Sequence, residues 1–142
     1  MKRVIAPGYE LDDDPVRIDR DAIHRYLAGE SYWAAGRARE VMDELIETAA
    51  RVVGLYAADG SQLGFARVVS DGHIVSYLAD VYVLDEARGR GFGLELVRFA
   101  VDEEPLRKTK WLLHTRDMHP LYAKLGFETP GELTMERWPS GR

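Results

Sequence analysis

Apolar positions change their period twice along the chain. From Arg37 onward, Val41, Leu45, Ile46 and Ala49 recur at helical spacing and predict a helix to about Ala50. The period then becomes that of a strand. "RVVGLYA" and "QLGFARVVS" flank "ADGS", whose Asp59-Gly60 pair tolerates the positive φ angles of a tight hairpin. A turn at "DGH" leads into "IVSYLADVYVL", a β-branched and aromatic run that predicts a third consecutive antiparallel strand over Ile74–Leu84. Helical spacing returns over Gly91–Glu103 and stops before Pro105, because a proline disfavours helical geometry in the residue before it. "KWLLHT" reads as a strand over Trp111–Thr115, "PLYAKLGF" as a short helix closed by Gly126, and "GELTMERW" as a last strand.

The N-terminal part is less regular. Tyr9–Ile18 allows a first strand, but Asp12, Asp13, Asp14 and Pro15 are poor strand formers and weigh against it. Asp19 or Asp21 can cap a short helix through Ile23, Tyr26 and Leu27, ended by Gly29, and the aromatic "ESYWAAGR" follows as a loop. The step from strand Ile74–Leu84 through a helix to strand Trp111–Thr115 is a crossover, so these two strands should run parallel. The pattern predicts an α+β fold with a mixed, mainly antiparallel sheet and one parallel crossover.

Composition narrows the choice of chemistry. A chain of 142 residues is sized for a single domain over 1–142, and 46% hydrophobic with 30% charged residues is a globular balance. The net charge of -5 gives no global field for nucleic acid or anionic membrane, so any anion site must be local. With no cysteine, disulfides, thiolate zinc sites and cysteine nucleophiles are excluded. No signal-peptide core precedes Pro7 and no apolar run could span a bilayer, which makes a cytoplasmic location the expectation. His114 and His119 have no metal-binding spacing, so no metal is expected.

The local anion site falls on "ARGRGFGLELV". Free amides and the peptide dipoles make a helix start attractive to anions, and glycines at 89, 91 and 93 clear the Cβ atoms from their approach. Arg88 and Arg90 add planar donors suited to phosphate. Leu94 and Glu95 follow Gly93 where a Walker loop needs Lys and Ser or Thr, and Leu94 also stands where a dinucleotide fingerprint needs its third glycine.

"VYVLDEARGRGFGLELV" resembles the acetyl-coenzyme A signature of the GNAT superfamily of N-acetyltransferases, and "PLYAKLGF" resembles that family's second recurrent element. The likeness runs from about Asp19 to Trp138, and with "ESYWAAGR" and "FARVVSD" it is closest to a subgroup of small bacterial members. It implies helices on both faces of the sheet. It also implies acetyl-CoA as cosubstrate, with the pyrophosphate on Arg88, Gly89, Arg90, Gly91, Phe92, Gly93 and Leu94. The pantetheine arm would lie along Val81, Tyr82 and Val83 as an added strand, which requires the parallel neighbours to splay apart beyond Val83.

The reaction implied is direct transfer of an acetyl group to the amine of a small molecule or peptide, with a homodimer kept open as the assembly. A strand amide, that of Val83, would stabilise the oxyanion, a contact worth roughly 3–4 kcal/mol. Tyr122 takes the position of the acid that serves the leaving thiolate. Asp80 is either the general base or an aspartate satisfied by a loop amide or an arginine, with Asp117 and His119 as the next candidates for the base. Glu30, Tyr32 and Trp33 lie on the loop expected to line the acceptor pocket. The short "TRDMHP" leaves no room for the asparagine-containing turn of other branches, so their acceptors do not transfer. A non-catalytic acyl-CoA-binding or sensing module of the same fold is the alternative function.

Overall fold

The computed structural model describes residues 1–140. Its centre is a six-stranded sheet in the order β1-β2-β3-β4-β5-β6. The strands are β1 (Lys2–Ala6), β2 (Tyr9–Asp12), β3 (Arg51–Ala57), β4 (Gln62–Ser70), β5 (Val75–Val83) and β6 (Lys110–Leu113). Helices α1 (Arg20–Gly29) and α2 (Arg39–Thr48) precede β3, α3 (Phe92–Asp102) joins β5 to β6, and α4 (His119–Ala123) follows β6. Every strand pair is antiparallel except β5 with β6, the pair that the crossover through α3 makes parallel.

Alternation along the strands feeds two cores. On one side Val53, Leu55, Ala66 and Val68 meet Leu96, Val97, Phe99 and Ala100 of α3. On the other, Val52, Phe65 and Tyr82 meet Ile23 and Leu27 of α1 with Met42 and Ile46 of α2. Helices therefore cover both faces, and each fully buried Leu or Phe stabilises the fold by roughly 1.5–3 kcal/mol. Asp19 caps α1 through its carboxylate, which accepts from the Ala22 amide at 3.0 Å.

Three expectations need correction. The N-terminal strand is a hairpin: β1 and β2 are joined through Gly8 at φ +80°, and β2 ends at Asp12 rather than running to Ile18. Asp12 is tolerated inside the sheet because its buried carboxylate accepts from the Asp14 amide at 3.0 Å and from Arg17 at 3.1 Å. The "GELTMERW" segment forms no strand. The alternation of Leu133 and Met135 finds no apolar face, and both stay exposed, at 98% and 93%. The parallel neighbours also part earlier than expected, since β6 pairs with β5 only from Val75 to Leu78. No helix among the described residues is long and apolar enough to cross a membrane.

Candidate active site

The early parting of β5 and β6 builds the site. Past Leu78 the β6-facing edge of β5 is unpaired, while its other edge continues along β4 to Val83. Leu84 donates to the Leu63 carbonyl at 2.8 Å, so the Gly64–Val83 pair beside it is of the non-hydrogen-bonded kind. The N–H and C=O of Val83 consequently point to the open edge, and its carbonyl there accepts from Arg88 Nε at 2.8 Å.

A bulge lies upstream in the same strand. Pairing moves from Arg67↔Ala79 to Phe65↔Tyr82, and Asp80 takes φ 56°, a left-handed conformation uncommon for a residue with a Cβ. The bulge turns the Asp80 side chain into a buried cluster. Trp33 Nε1 donates to one carboxylate oxygen at 2.9 Å, and Arg37 and Arg67 donate to the other at 2.8 Å each. Burial alone would raise the Asp80 pKa, but the hydrogen bond from Arg37 and the charge of Arg67 outweigh it and hold the carboxyl below its usual range. Of the two readings of Asp80, the structure shows the aspartate satisfied by arginine. A carboxylate so engaged is a poor proton acceptor.

Between the open β5 edge and the chain after β6 lies a cavity of about 750 Å³. Tyr32, Trp33, Asp80, Val81, Asp117 and Tyr122 all line it, so the structure brings these expected site residues together. Tyr32 is fixed there by its hydroxyl, which accepts from the Arg116 amide at 3.1 Å, and by the Arg116 guanidinium stacked 3.9 Å from its ring centre. Tyr122 packs edge-on against Phe127, and burial pushes its hydroxyl up to about 12. Glu30 lies apart, in a second hollow with Tyr26 and Arg88, and His119 is outside the cavity lining.

The glycine loop opens α3. Gly89 and Gly91 have φ +81° and +79°, and a Cβ on either would meet nothing within 4 Å. Gly91 is the N-cap residue of α3, and no side chain caps the helix amides. At Gly93 an added Cβ would make only ordinary contacts, 3.5 Å to Leu121 Cδ1 and 3.9 Å to Val83 Cγ2. Both arginines are already engaged, Arg88 with Val83, Asp85 and Tyr26, and Arg90 with the Tyr9 hydroxyl at 2.6 Å.

Two features of the cavity wall were not singled out in the sequence. Tyr77 and His114 sit beside each other, 2.6 Å between Oη and Nδ1, because the parallel register sets Tyr77 opposite Leu112, and His114 follows two residues on, just past the end of β6. Glu136, from the segment expected to be a strand, reaches His114 Nε2 at 2.9 Å. The expected parallel run of the strand holding Tyr77 beside the one leading to His114 could have suggested the first contact, but no local signal brings Glu136 back to the sheet. No group of three or more His, Asp or Glu suited to a metal occurs among the described residues.

The acetyltransferase (GNAT) domain family matches residues 29–129. This chain belongs to the GNAT acetyltransferase family. A protein of the GNAT family from Xanthomonas campestris pv. campestris has a similar solved structure, with TM-score 0.86 and 36% identity over 95% of this chain and 96% of that one. A protein of Gibberella zeae that carries the name of an acetyltransferase is 30% identical, covering 84% of this chain and 79% of its own length. The GNAT fold also matches N-acetylglutamate synthase from Neisseria gonorrhoeae, solved with coenzyme A and N-acetyl-glutamate, at TM-score 0.69 and 17% identity over 89% of this chain and 30% of that one.

Proposed function

We propose that the chain is an acetyl-CoA-dependent N-acetyltransferase that moves an acetyl group directly to the amine of a small molecule or peptide. The observation that carries this is the conjunction of an unpaired β5 edge with an uncapped α3 N-terminus, joined by the Leu84–Gly91 connection. The residues fit coenzyme A at both places. Beyond Gly89 and Gly91 there is open space where any other residue would put a Cβ, so the amides from Gly91 onward are free to meet a pyrophosphate. The edge from Ala79 to Val83 offers backbone groups to the amides of a pantetheine arm.

Acetyl-CoA, when bound, supplies an acetyl group activated as a thioester. Val81 lines the cavity with Tyr122 while Val83 does not. The strand amide that would donate to oxygen as negative charge develops therefore lies at the Val81 end of the open edge, with Val83 N–H left to the pantetheine arm. Tyr122 donates a hydrogen bond toward the departing sulfur. With its hydroxyl pushed up to about 12 against roughly 8.5 for an ordinary thiol, Tyr122 keeps its proton and stabilises the thiolate by hydrogen bonding. The aromatic wall of Tyr32 and Trp33 faces the acceptor, and Asp80 holds Trp33 in place. Arg88 and Arg90 act as braces for Val83 and Tyr9, which leaves the phosphate contacts to backbone amides.

The engagement of Asp80 also favours a second reading, an acyl-CoA-binding module without turnover. Incubation with acetyl-CoA and a panel of amines, reading free thiol, separates the two. The cysteine-free chain adds no background to that readout.

A further inference from the structure

With Asp80 committed to two arginines, the acetyltransfer reading must find its proton acceptor elsewhere in the cavity, where the expected runner-up Asp117 also lies. The cavity wall holds another arrangement. Tyr77 Oη lies 2.6 Å from His114 Nδ1, and His114 Nε2 lies 2.9 Å from Glu136 Oε2. Glu136 is further oriented by Trp138, whose Nε1 donates to Oε1 at 2.8 Å. All four residues line the cavity that also holds Tyr122.

The chemistry of the pairs fixes the direction of the chain. An ionised carboxylate only accepts, so the imidazole carries its proton on Nε2 toward Glu136. That leaves the Nδ1 lone pair to accept from the Tyr77 hydroxyl, whose oxygen keeps its remaining lone pair for a group in the cavity. We propose that Tyr77, His114 and Glu136 form a proton relay that takes the proton of the acceptor amine. This rests on the acetyltransfer reading above.

The step balances. The nitrogen's electron pair forms the N–C bond to the acetyl carbon, and the C–S bond breaks with its pair on sulfur. The amine N–H proton passes to Tyr77 Oη as the tyrosine's own proton passes to His114 Nδ1, and the imidazolium that results faces the Glu136 carboxylate. His114 returns its proton to solvent and the sulfur takes one from solvent. Tyr77 is the catalytic residue of the three, since its oxygen meets the amine. His114 and Glu136 act through it. Tyr77 also feels the charges of Arg67, Asp80 and Glu136, while Arg37, Arg116, Asp117 and Arg137 complete the charged groups of the wall. Burial raises the Tyr77 hydroxyl pKa, so the free anion is disfavoured and concerted transfer to His114 is the available path.

Two measurements on the full chain test the relay. Nitrogen-15 NMR of the histidines in the ligand-free protein at pH 8 should show His114 protonated at Nε2 with Nδ1 bare, and Glu136→Ala should weaken that tautomer preference. In turnover, His114→Gln and Tyr77→Phe should lower kcat about 100-fold, the low end of what a positioned proton acceptor contributes. KM for acetyl-CoA should not change, and Glu136→Ala should lower kcat in step with the loss of the His114 tautomer preference. A His114 protonated at Nδ1, or variants that turn over like the unaltered chain, would overturn the relay while leaving acetyl transfer standing. No thiol release by the unaltered chain with any amine would overturn both.

Discussion

Trp33 and Asp80 are tied by a 2.9 Å hydrogen bond across 47 residues of sequence. The contact joins the aromatic loop of the acceptor side to the bulge of β5, and Arg37 and Arg67 lock it from the other carboxylate oxygen. Removing the carboxylate leaves a buried arginine without its partner. Asp80→Ala should therefore destabilise the protein by roughly 3–5 kcal/mol, against about 1 kcal/mol for Trp33→Phe. Denaturant titrations of the two variants give both numbers. If Asp80→Ala were as stable as the unaltered chain, the cluster would have no structural role.

The same cluster sets an acid limit. The Asp80 pKa is lowered in the folded state, so its contribution to stability is complete above the unfolded value and is lost as pH falls through the folded one. Stability should decline below about pH 4, and Asp80→Asn should flatten that decline. Thermal melts from pH 7 to pH 2 read the difference.

Tyr122→Phe removes one hydrogen bond to a developing anion, worth about 1.5–3 kcal/mol, so kcat should fall roughly 10- to 100-fold. Coenzyme A affinity should stay the same. Because the hydroxyl is pushed up to about 12, it stays protonated through the neutral range. The unaltered enzyme should thus show no loss of rate from this group as pH rises to 10. A basic limb near pH 9 that vanished in Tyr122→Phe would contradict the assignment.

Gly54 is a packing test remote from the site. A Cβ there would lie 2.3 Å from the Tyr56 hydroxyl oxygen, and Tyr56 is fully buried with Arg17 stacked 3.8 Å from its ring centre. Tyr56 has nowhere to move, so Gly54→Ala should cost about 1–3 kcal/mol of stability. The midpoint of urea unfolding measures it.

Much of this frame was legible from local patterns, and the exceptions share a cause. The Asp59-Gly60 hairpin, the α3 crossover and the glycine loop are coded within a few residues of themselves, by turn chemistry and by period. The β1–β2 hairpin was harder to see. Its Pro7-Gly8 turn is a local signal, but Asp12 looks like a strand breaker until Arg17 and the Asp14 amide are known to satisfy it. At the site, Tyr122, Tyr32 and Trp33 follow from their motifs. The state of Asp80 does not, because it depends on Arg37 and Arg67 arriving from other elements. Glu136 is the extreme case, placed by a coil segment whose alternation suggested a strand.

The Gly91 turn carries the donor site in this account. Gly91→Glu should lower coenzyme A affinity at least tenfold, because it puts a Cβ into a φ +79° position that disfavours one and a carboxylate where an anion should bind. Isothermal titration with coenzyme A and the unaltered fold seen by circular dichroism check it. Retained affinity would remove the loop from the donor site.

The central claim is acetyl transfer to an amine. The most direct measurement is mass spectrometry of an amine panel incubated with acetyl-CoA and the chain, with free thiol read in parallel. The account predicts a gain of one acetyl group on an amine together with one thiol released. Tight coenzyme A binding with no acetylated amine and no thiol would contradict it and leave a binding module in its place.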